Sequence, residues 1–475
     1  MGGRIGWPAR ACQWLGGLRA RSLLRLRAAG GSATGAPDNL LSRRDKLWGF
    51  FYPLAVMQLE RIQAVLAQAR KDGILGAERP AAIFHDLDEF SATVGRICAA
   101  FPPGTLHTLA VKANPLAGLL RRARAAGMGA ECASLPELQH ALRLGFAPSS
   151  IVFDSPAKTG PELRFAVEQG VFLNADNLQE VAHLAALARG GATLRAGIRV
   201  NPQTGAGSYA GTSTATATSK FGVPLLDERE ALLDAYAANP WLVGLHVHTG
   251  SQVCPLDLVV RGVSEILKLA HEIEQRRGRP LEVIDIGGGL PANYGSDDAG
   301  AHLAEYAARL RQDVPGLFRY RVVTEFGRAV HAKAGWAASR VEYTKRSGGR
   351  RIAVIHLGAD FLVRTAYVPE VWVHRVSVHA PDGAPKPGEA AVQDIAGPLC
   401  FTGDLVARER SLPLAEPGDL VVIHDTGAYA LSMWSRYNSR AVPGVYGYTI
   451  AGGQVKLETL KAPETPEDVL KFWGA

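Results

Sequence analysis

The chain has 475 residues, room for two domains, and its 47% hydrophobic and 20% charged residues are those of a globular enzyme rather than a disordered or fibrous chain. Its formal charge of +7 would suit a polyanionic partner, but six of the arginines (Arg4, Arg10, Arg19, Arg21, Arg25 and Arg27) fall in an acid-free stretch ahead of residue 38, and removing their charge leaves the body at +1. The body therefore carries no nucleic-acid footprint. The five cysteines, Cys12, Cys98, Cys132, Cys254 and Cys400, are odd in number and form no CxxC pair, which argues against a disulfide framework and against structural zinc.

Residues 1–37 interleave those arginines with Leu15, Leu18, Leu23, Leu24 and Leu26 and read as a transit peptide for a plastid or mitochondrion. A disordered tail on a cytoplasmic protein is the competing reading. The absence of a charge-free apolar run of about 18 residues predicts no membrane span. Residues 38–80 are an N-terminal helical segment, with Ala55, Leu59, Ile62, Val65, Leu66 and Ala69 at helical spacing. A short strand follows at Ala81–Phe84, and Asp86-Leu-Asp88 opens the next helix with acids in its first turn.

Short apolar runs then alternate with helical stretches. The runs are Leu106–Val111, Gly129–Ala133, Ser150–Phe153, Val171–Asn174, Leu194–Val200, Leu242–Val247, Val283–Ile286 and Tyr320–Thr324. Eight strands and their helices predict a (β/α)8 barrel within residues 81–334, with an open doubly wound sheet as the alternative. Residues 335–475 are β-rich, with runs at Arg351–Leu357, Val371–Val378 and Leu420–His424 separated by Pro- and Gly-bearing loops. They predict a C-terminal, mostly antiparallel β domain ending in a helix near Thr465–Phe472. Gly205–Ser219, rich in small and hydroxyl residues, reads as one mobile loop.

Polar residues gather at the carboxyl ends of the predicted barrel strands, where a barrel places its active site. Strand one ends in Lys112; such a lysine either snorkels to water or is a Schiff-base nucleophile whose pKa desolvation depresses. Strand seven ends in Gly287-Gly288-Gly289, a run that lets backbone N–H groups approach a phosphate. Ser251 offers a hydroxyl and Arg328 a charge-assisted bond to the same group. Strand eight ends in Glu325, a buried acid that suits a pyridinium nitrogen, and His248 offers a flat ring for stacking. A lysine, a phosphate cradle, a carboxylate and a stacking ring together describe a pyridoxal 5'-phosphate site with no metal.

In order and spacing, AVKANP, SKFGV, HVHTGSQ, IDIGGG, EFGR, GPLCFTGD and HDTGAYALSMWSRYNSR resemble the fold-type III pyridoxal phosphate decarboxylases, a family that includes diaminopimelate, ornithine and arginine decarboxylases and has an alanine racemase-like fold. The resemblance spans roughly residues 80 to 460 and is strongest to the diaminopimelate branch. It implies decarboxylation of an amino acid, meso-diaminopimelate to L-lysine and CO2 in lysine biosynthesis. It makes Lys112 the Schiff-base lysine and His248 the stacking ring. Ser251, Gly287, Gly288, Gly289, Gly327, Arg328 and Tyr429 would bind the cofactor around its phosphate, and Glu325 would pair with its ring nitrogen. Cys400 would be the catalytic thiol, delivered from the second subunit of a homodimer, and Arg364, Tyr367 and Phe401 would face the substrate.

The substrate side departs from the pattern. The family places Glu after the catalytic cysteine, where this chain has Phe401 and then Thr402. Its usual Ala-Leu-Tyr-Asp after the arginine has become Ala366-Tyr367-Val368-Pro369-Glu370. Four alternatives therefore stand beside the main reading: a decarboxylase of another basic or D-amino acid, an alanine racemase-like enzyme, a metal hydrolase using His246 and His248, and a cofactor-binding protein without turnover.

Overall fold

In the computed structural model the described residues are 52–475 apart from 208, 253 and 299–301. The leader predicted for residues 1–37 lies outside them. Eight parallel strands form the barrel: Leu106–Ala110, Gly129–Cys132, Ile151–Asp154, Phe172–Ala175, Ala196–Asn201, Leu242–His246, Val283–Asp285 and Arg321–Phe326. Each pairs with its sequence neighbour, and strand eight returns to strand one through Val323↔Leu106 and Phe326↔Leu109. An open doubly wound sheet would leave two edges, so this closure decides for the barrel.

The strand period of two divides the lumen. Leu106, Val152, Phe172, Val283 and Val323 cluster at the amino end of the barrel. Two residues further along, strands three, four, seven and eight present Asp154, Asn174, Asp285 and Glu325, all buried. Side chains two apart share a face about 6.6 Å further along the strand. The lumen is therefore apolar at one end and polar at the end that carries the strand-to-helix turns. Helices such as Leu135–Arg143 and Gly160–Glu168 cover the outside, started by Ser134 and by a Thr159–Glu162 capping box.

The second sheet has nine strands, mixed but mostly antiparallel. Strand Ala81–Asp86 belongs to it rather than to the barrel, antiparallel to Gly335–Ser347 and parallel to Gly444–Ala451. The sequence boundary at residue 81 therefore moves: the sheet takes one strand from ahead of the barrel. Alternation explains why. Ile83, Ala337, Val421 and Val445 point into the large core shared with the barrel. Their neighbours Ala82, Phe84, Trp336, Ala338, Val422, Tyr446 and Tyr448 point the other way, onto Ile62, Val65, Leu66 and Ala69 of helix Tyr52–Lys71. Phe84 and Trp336 stack at 4.4 Å between ring centroids. Each such buried aromatic is worth on the order of 1.5–3 kcal/mol relative to exposure. Among the described residues, no helix is long and apolar enough to cross a membrane.

Candidate active site

A cavity of about 310 Å³ opens at the carboxyl ends of the barrel strands. Of the residues singled out from sequence, Lys112, His248, Ser251, Gly289, Glu325, Gly327, Arg328, Arg364 and Tyr429 line it, together with Asp154, Arg199 and Phe221. Lys112 sits on a single 3-10 turn, Val111–Ala113, directly after strand one. That turn is held from the second domain: Ala113 O accepts the Tyr429 N–H at 2.9 Å, and Asn114 Nδ2 donates to Gly427 O at 2.9 Å. Tyr429 has φ +57°, a left-handed backbone that a non-glycine residue adopts only where surrounding contacts impose it.

Lys112 Nζ lies 2.6 and 2.5 Å from the two carboxylate oxygens of Glu131, which is fully buried at the end of strand two. Burial works to lower the Lys112 ammonium, but Glu131 and Glu325 outweigh it and hold its pKa above the ordinary lysine range. This corrects the expectation that desolvation alone would make Lys112 a low-pKa nucleophile. Burial in turn acts to raise the Glu131 carboxyl, and the facing Lys112 ammonium acts to lower it. Glu131 was not singled out from the sequence. It obeys the rule that found Glu325, a buried strand ending in a carboxylate, but strand two is only four residues long.

Glu325 is buried, its Oε2 is 3.6 Å from His246 Nε2, and its Oε1 has no hydrogen-bond partner. Burial acts to raise its pKa, but His246 outweighs that and holds the carboxylate ionised. A buried ionised oxygen without a donor is costly, and a protonated pyridine nitrogen would supply the donor. His248 accepts the Gly288 N–H through Nδ1 at 3.2 Å and is pushed down to about 3 by burial and by Arg199, so its ring is neutral.

Arg328 donates to Tyr294 Oη at 2.8 Å and to Ser251 Oγ at 3.3 Å. Its guanidinium also lies 4.9 Å from the Trp372 ring and 4.7 Å from the Tyr429 ring. Arg364 stacks on the same two rings at 4.8 Å each, and its Nη1 is buried without a partner. Two guanidinium groups on shared aromatic faces, with no carboxylate bonded to either in the cavity, make an anion site.

The glycines serve chiefly as close-approach points. A Cβ on Gly288 would lie 2.3 Å from Glu325 O, one on Gly289 2.6 Å from Gly250 O, and one on Gly327 2.8 Å from the Ala113 Cβ. The Gly287 N–H is taken by Asp285 Oδ1 and the Gly288 N–H by His248. Gly287 and Gly288 thus seat the strand ends and do not line the cavity, which narrows the expected phosphate cradle to the Gly289 side.

Three predicted residues lie elsewhere on the chain. Cys400 is exposed, its N–H bonded to Asn438 Oδ1 at 2.8 Å and its carbonyl accepting from Tyr437 Oη at 2.9 Å. Phe401 stacks on the exposed ring of Tyr367 at 5.2 Å. None of the three lines the cavity of its own chain. Asp404 anchors their loop by accepting the N–H groups of Ala359 and Leu399 at 2.5 and 2.7 Å. Trp372 and Tyr294 escaped the sequence reading because no motif marks them; they join the site only through packing.

The barrel, the strand-end lysine, the unpaired buried carboxylate and the paired guanidiniums define a pyridoxal phosphate enzyme of the barrel type. The comparisons agree. The model of the pyridoxal-dependent decarboxylase family, pyridoxal-binding domain, matches residues 87–332. A diaminopimelate decarboxylase of Helicobacter pylori is 32% identical over 343 residues, 71% of this chain and 82% of its own length. One from Deinococcus radiodurans is 32% identical over 405 residues, 82% and 94% of the two chains. A crystal structure of Helicobacter pylori diaminopimelate decarboxylase complexed with L-lysine matches with a TM-score of 0.74 and 28% identity, over 83% of this chain and 96% of that one. The chain belongs to the pyridoxal-dependent decarboxylase family, and it is a carboxy-lyase that uses pyridoxal phosphate. Membership sets aside the metal-hydrolase reading of His246 and His248, whose rings serve different neighbours.

Proposed function

We propose that the substrate is meso-diaminopimelate and the products L-lysine and CO2, with the active enzyme a homodimer that works in lysine synthesis inside an organelle once a leader is removed. The observation that carries the substrate reading is Arg364: a buried guanidinium with an unpartnered Nη1, lining the same cavity as Lys112. It can take a carboxylate at the far end of an amino acid. The exposure of Cys400, Tyr367 and Phe401 on one surface supports the dimer, because a second copy is then needed to bring the thiol to a cavity.

In this reading each residue has a defined task. Arg328, Ser251 and Tyr429 bind the cofactor phosphate, and Glu325 Oε1 holds the proton of the ring nitrogen. His248 would present its neutral ring to the cofactor, and Lys112 would supply the amine that holds it. Bound pyridoxal phosphate supplies the electron sink for the carbon that loses CO2. The Cys400 thiol of the partner subunit returns a proton to that carbon.

The Phe401–Tyr367 ring pair favours a second reading, another amino acid, because it offers no carboxylate to a distal ammonium. The test is CO2 release by the leader-free, cofactor-loaded chain. The panel is meso-diaminopimelate, L-lysine, L-ornithine, L-arginine, carboxynorspermidine and D-amino acids. Preference for meso-diaminopimelate is the expected result. Release from another member alone gives the second reading, and silence across the panel defeats both.

A further inference from the structure

At the cavity floor, barrel strands three, six and eight bring together Asp154, His246 and Glu325, with His246 beneath the lining. His246 has no exposed surface, and Asp154 and Glu325 are 5% and 4% exposed. The two imidazole nitrogens face opposite ways: Nδ1 is 3.6 Å from Asp154 Oδ2, and Nε2 is 3.6 Å from Glu325 Oε2. At these distances neither nitrogen is hydrogen-bonded, and neither has a hydrogen-bond partner elsewhere among the described residues. Across the lumen, Asp285 Oδ1 accepts from the Gly287 N–H and its Oδ2 from Asn174 Nδ2. Arg199 Nη1 is 3.3 Å from Asp154 Oδ2, Lys112 is committed to Glu131, and His248 lies two residues along the same strand.

Four buried carboxyl groups, Glu131, Asp154, Asp285 and Glu325, thus share the polar end of one lumen, with Arg199 as the permanent cation beside them and Lys112 as a second while its amine is protonated. A neutral imidazole between two carboxylates could donate to only one of them and would turn a lone pair towards the other. A doubly protonated ring donates towards both. We infer that His246 is a positioning residue for the decarboxylation: as an imidazolium clamped between Asp154 and Glu325, it keeps Glu325 ionised and aims its free Oε1 at the cavity. The burial and the surrounding acids raise no conflict with this state, since the carboxylates outweigh the desolvation that would otherwise strip the proton from His246. Asp285 is pushed up by burial and by Glu325, so it adds less negative charge to the cluster. Without the proton on His246, Glu325 would face three other acids with no cation on its inner side, and its own protonation would relieve the repulsion. A protonated Glu325 no longer favours a protonated ring nitrogen, and the electron sink becomes shallower.

The test reads protons directly and needs no substrate, so it is independent of the identity proposed above. Histidine 15N NMR is recorded on the full chain with and without bound cofactor, and ring-15N pyridoxal phosphate reports the nitrogen opposite Glu325. One imidazole is expected to carry both ring protons at pH 8, to vanish from the spectrum of His246→Gln, and to titrate at lower pH in Asp154→Asn. The cofactor ring nitrogen of His246→Gln is expected to lose its proton at a pH lower than in the unaltered enzyme. On the amino acid that the enzyme decarboxylates, kcat should fall by roughly 30-fold or more with KM changed by less than about threefold, the pattern of an interaction made in the transition state. Histidines that are all neutral at pH 8, or a ring-nitrogen titration that His246→Gln leaves in place, overturn the inference. Should His246→Gln fail to fold, Asp154→Asn decides by the same two spectra: an imidazole titration unmoved from that of the unaltered chain overturns it.

Discussion

The amine of Lys112 and the carboxylate of Glu131 form a two-oxygen ion pair at 2.6 and 2.5 Å, closed beneath the cavity mouth. The lysine that the reaction needs as a free amine is thus held as an ammonium by a buried acid of the next strand.

That pair predicts how the cofactor enters. The raised Lys112 pKa leaves little neutral amine near pH 7, and each pH unit towards its pKa supplies about ten times more. Uptake of pyridoxal phosphate by the cofactor-free chain should therefore accelerate from pH 7 to pH 9. In Glu131→Gln, which removes the nearest opposing charge, the rise should begin at lower pH. Stopped-flow absorbance measures both, and an unchanged profile in the variant would show that the ion pair does not control the amine.

The phosphate end predicts a second set of outcomes. Arg328→Ala should weaken cofactor binding by about 1.5–3 kcal/mol, the range for hydrogen bonds to charged groups, or roughly 10- to 100-fold in Kd. Arg328→Lys should recover little of it, because an ammonium cannot serve Ser251, Tyr294 and two aromatic faces from one position. Equilibrium dialysis with the cofactor gives the numbers.

Packing at the strand ends predicts a third. Gly288→Ala places a Cβ 2.3 Å from Glu325 O, a backbone atom that cannot swing aside. A loss of about 1–3 kcal/mol of stability is expected. Cofactor affinity should fall with it, since relief of the clash moves Glu325. Denaturant melts of the cofactor-free and loaded chains separate the two effects.

The pH dependence of stability has a definite sign. His246 is raised to about 9, and burial lifts Asp285 to about 8, both above their unfolded values. Each binds more protons folded than unfolded, so its contribution is complete below the unfolded pKa and is lost as pH rises through the folded one. The cofactor-free chain should lose stability between about pH 7 and 9, by on the order of 3 kcal/mol from His246 alone. Thermal melts across that range should show the decline, and a smaller one in His246→Gln.

The proposed dimer predicts complementation. Lys112→Ala and Cys400→Ser subunits should each be inactive alone. Mixed after dissociation, they should recover about a quarter of the unaltered activity, since half the dimers then hold one intact site. Activity that stays at zero on mixing, with mixed dimers present, would place the working thiol in the same chain as the lysine.

Much of this architecture was legible from residues alone. Eight apolar runs at regular spacing named the barrel, because burial on both faces leaves parallel strands little choice of composition. Lys112 and Glu325 were visible because a charge at the end of a buried strand is rare without a partner. Strand Ala81–Asp86 was misplaced because its residues are apolar on both faces, as a barrel strand's would be; only pairing with Gly335–Ser347 and Gly444–Ala451 reveals its sheet. Glu131, Asp154 and His246 acquire meaning only when the lumen closes and sets strands two, three, six and eight around one axis. Local sequence determined which segments are strands and which of them end in charge, since these follow from side-chain period and polarity. Which charge meets which was decided by barrel closure, because partners as far apart in the chain as Asp154 and His246 find each other through the geometry of the sheet and not through spacing along the chain.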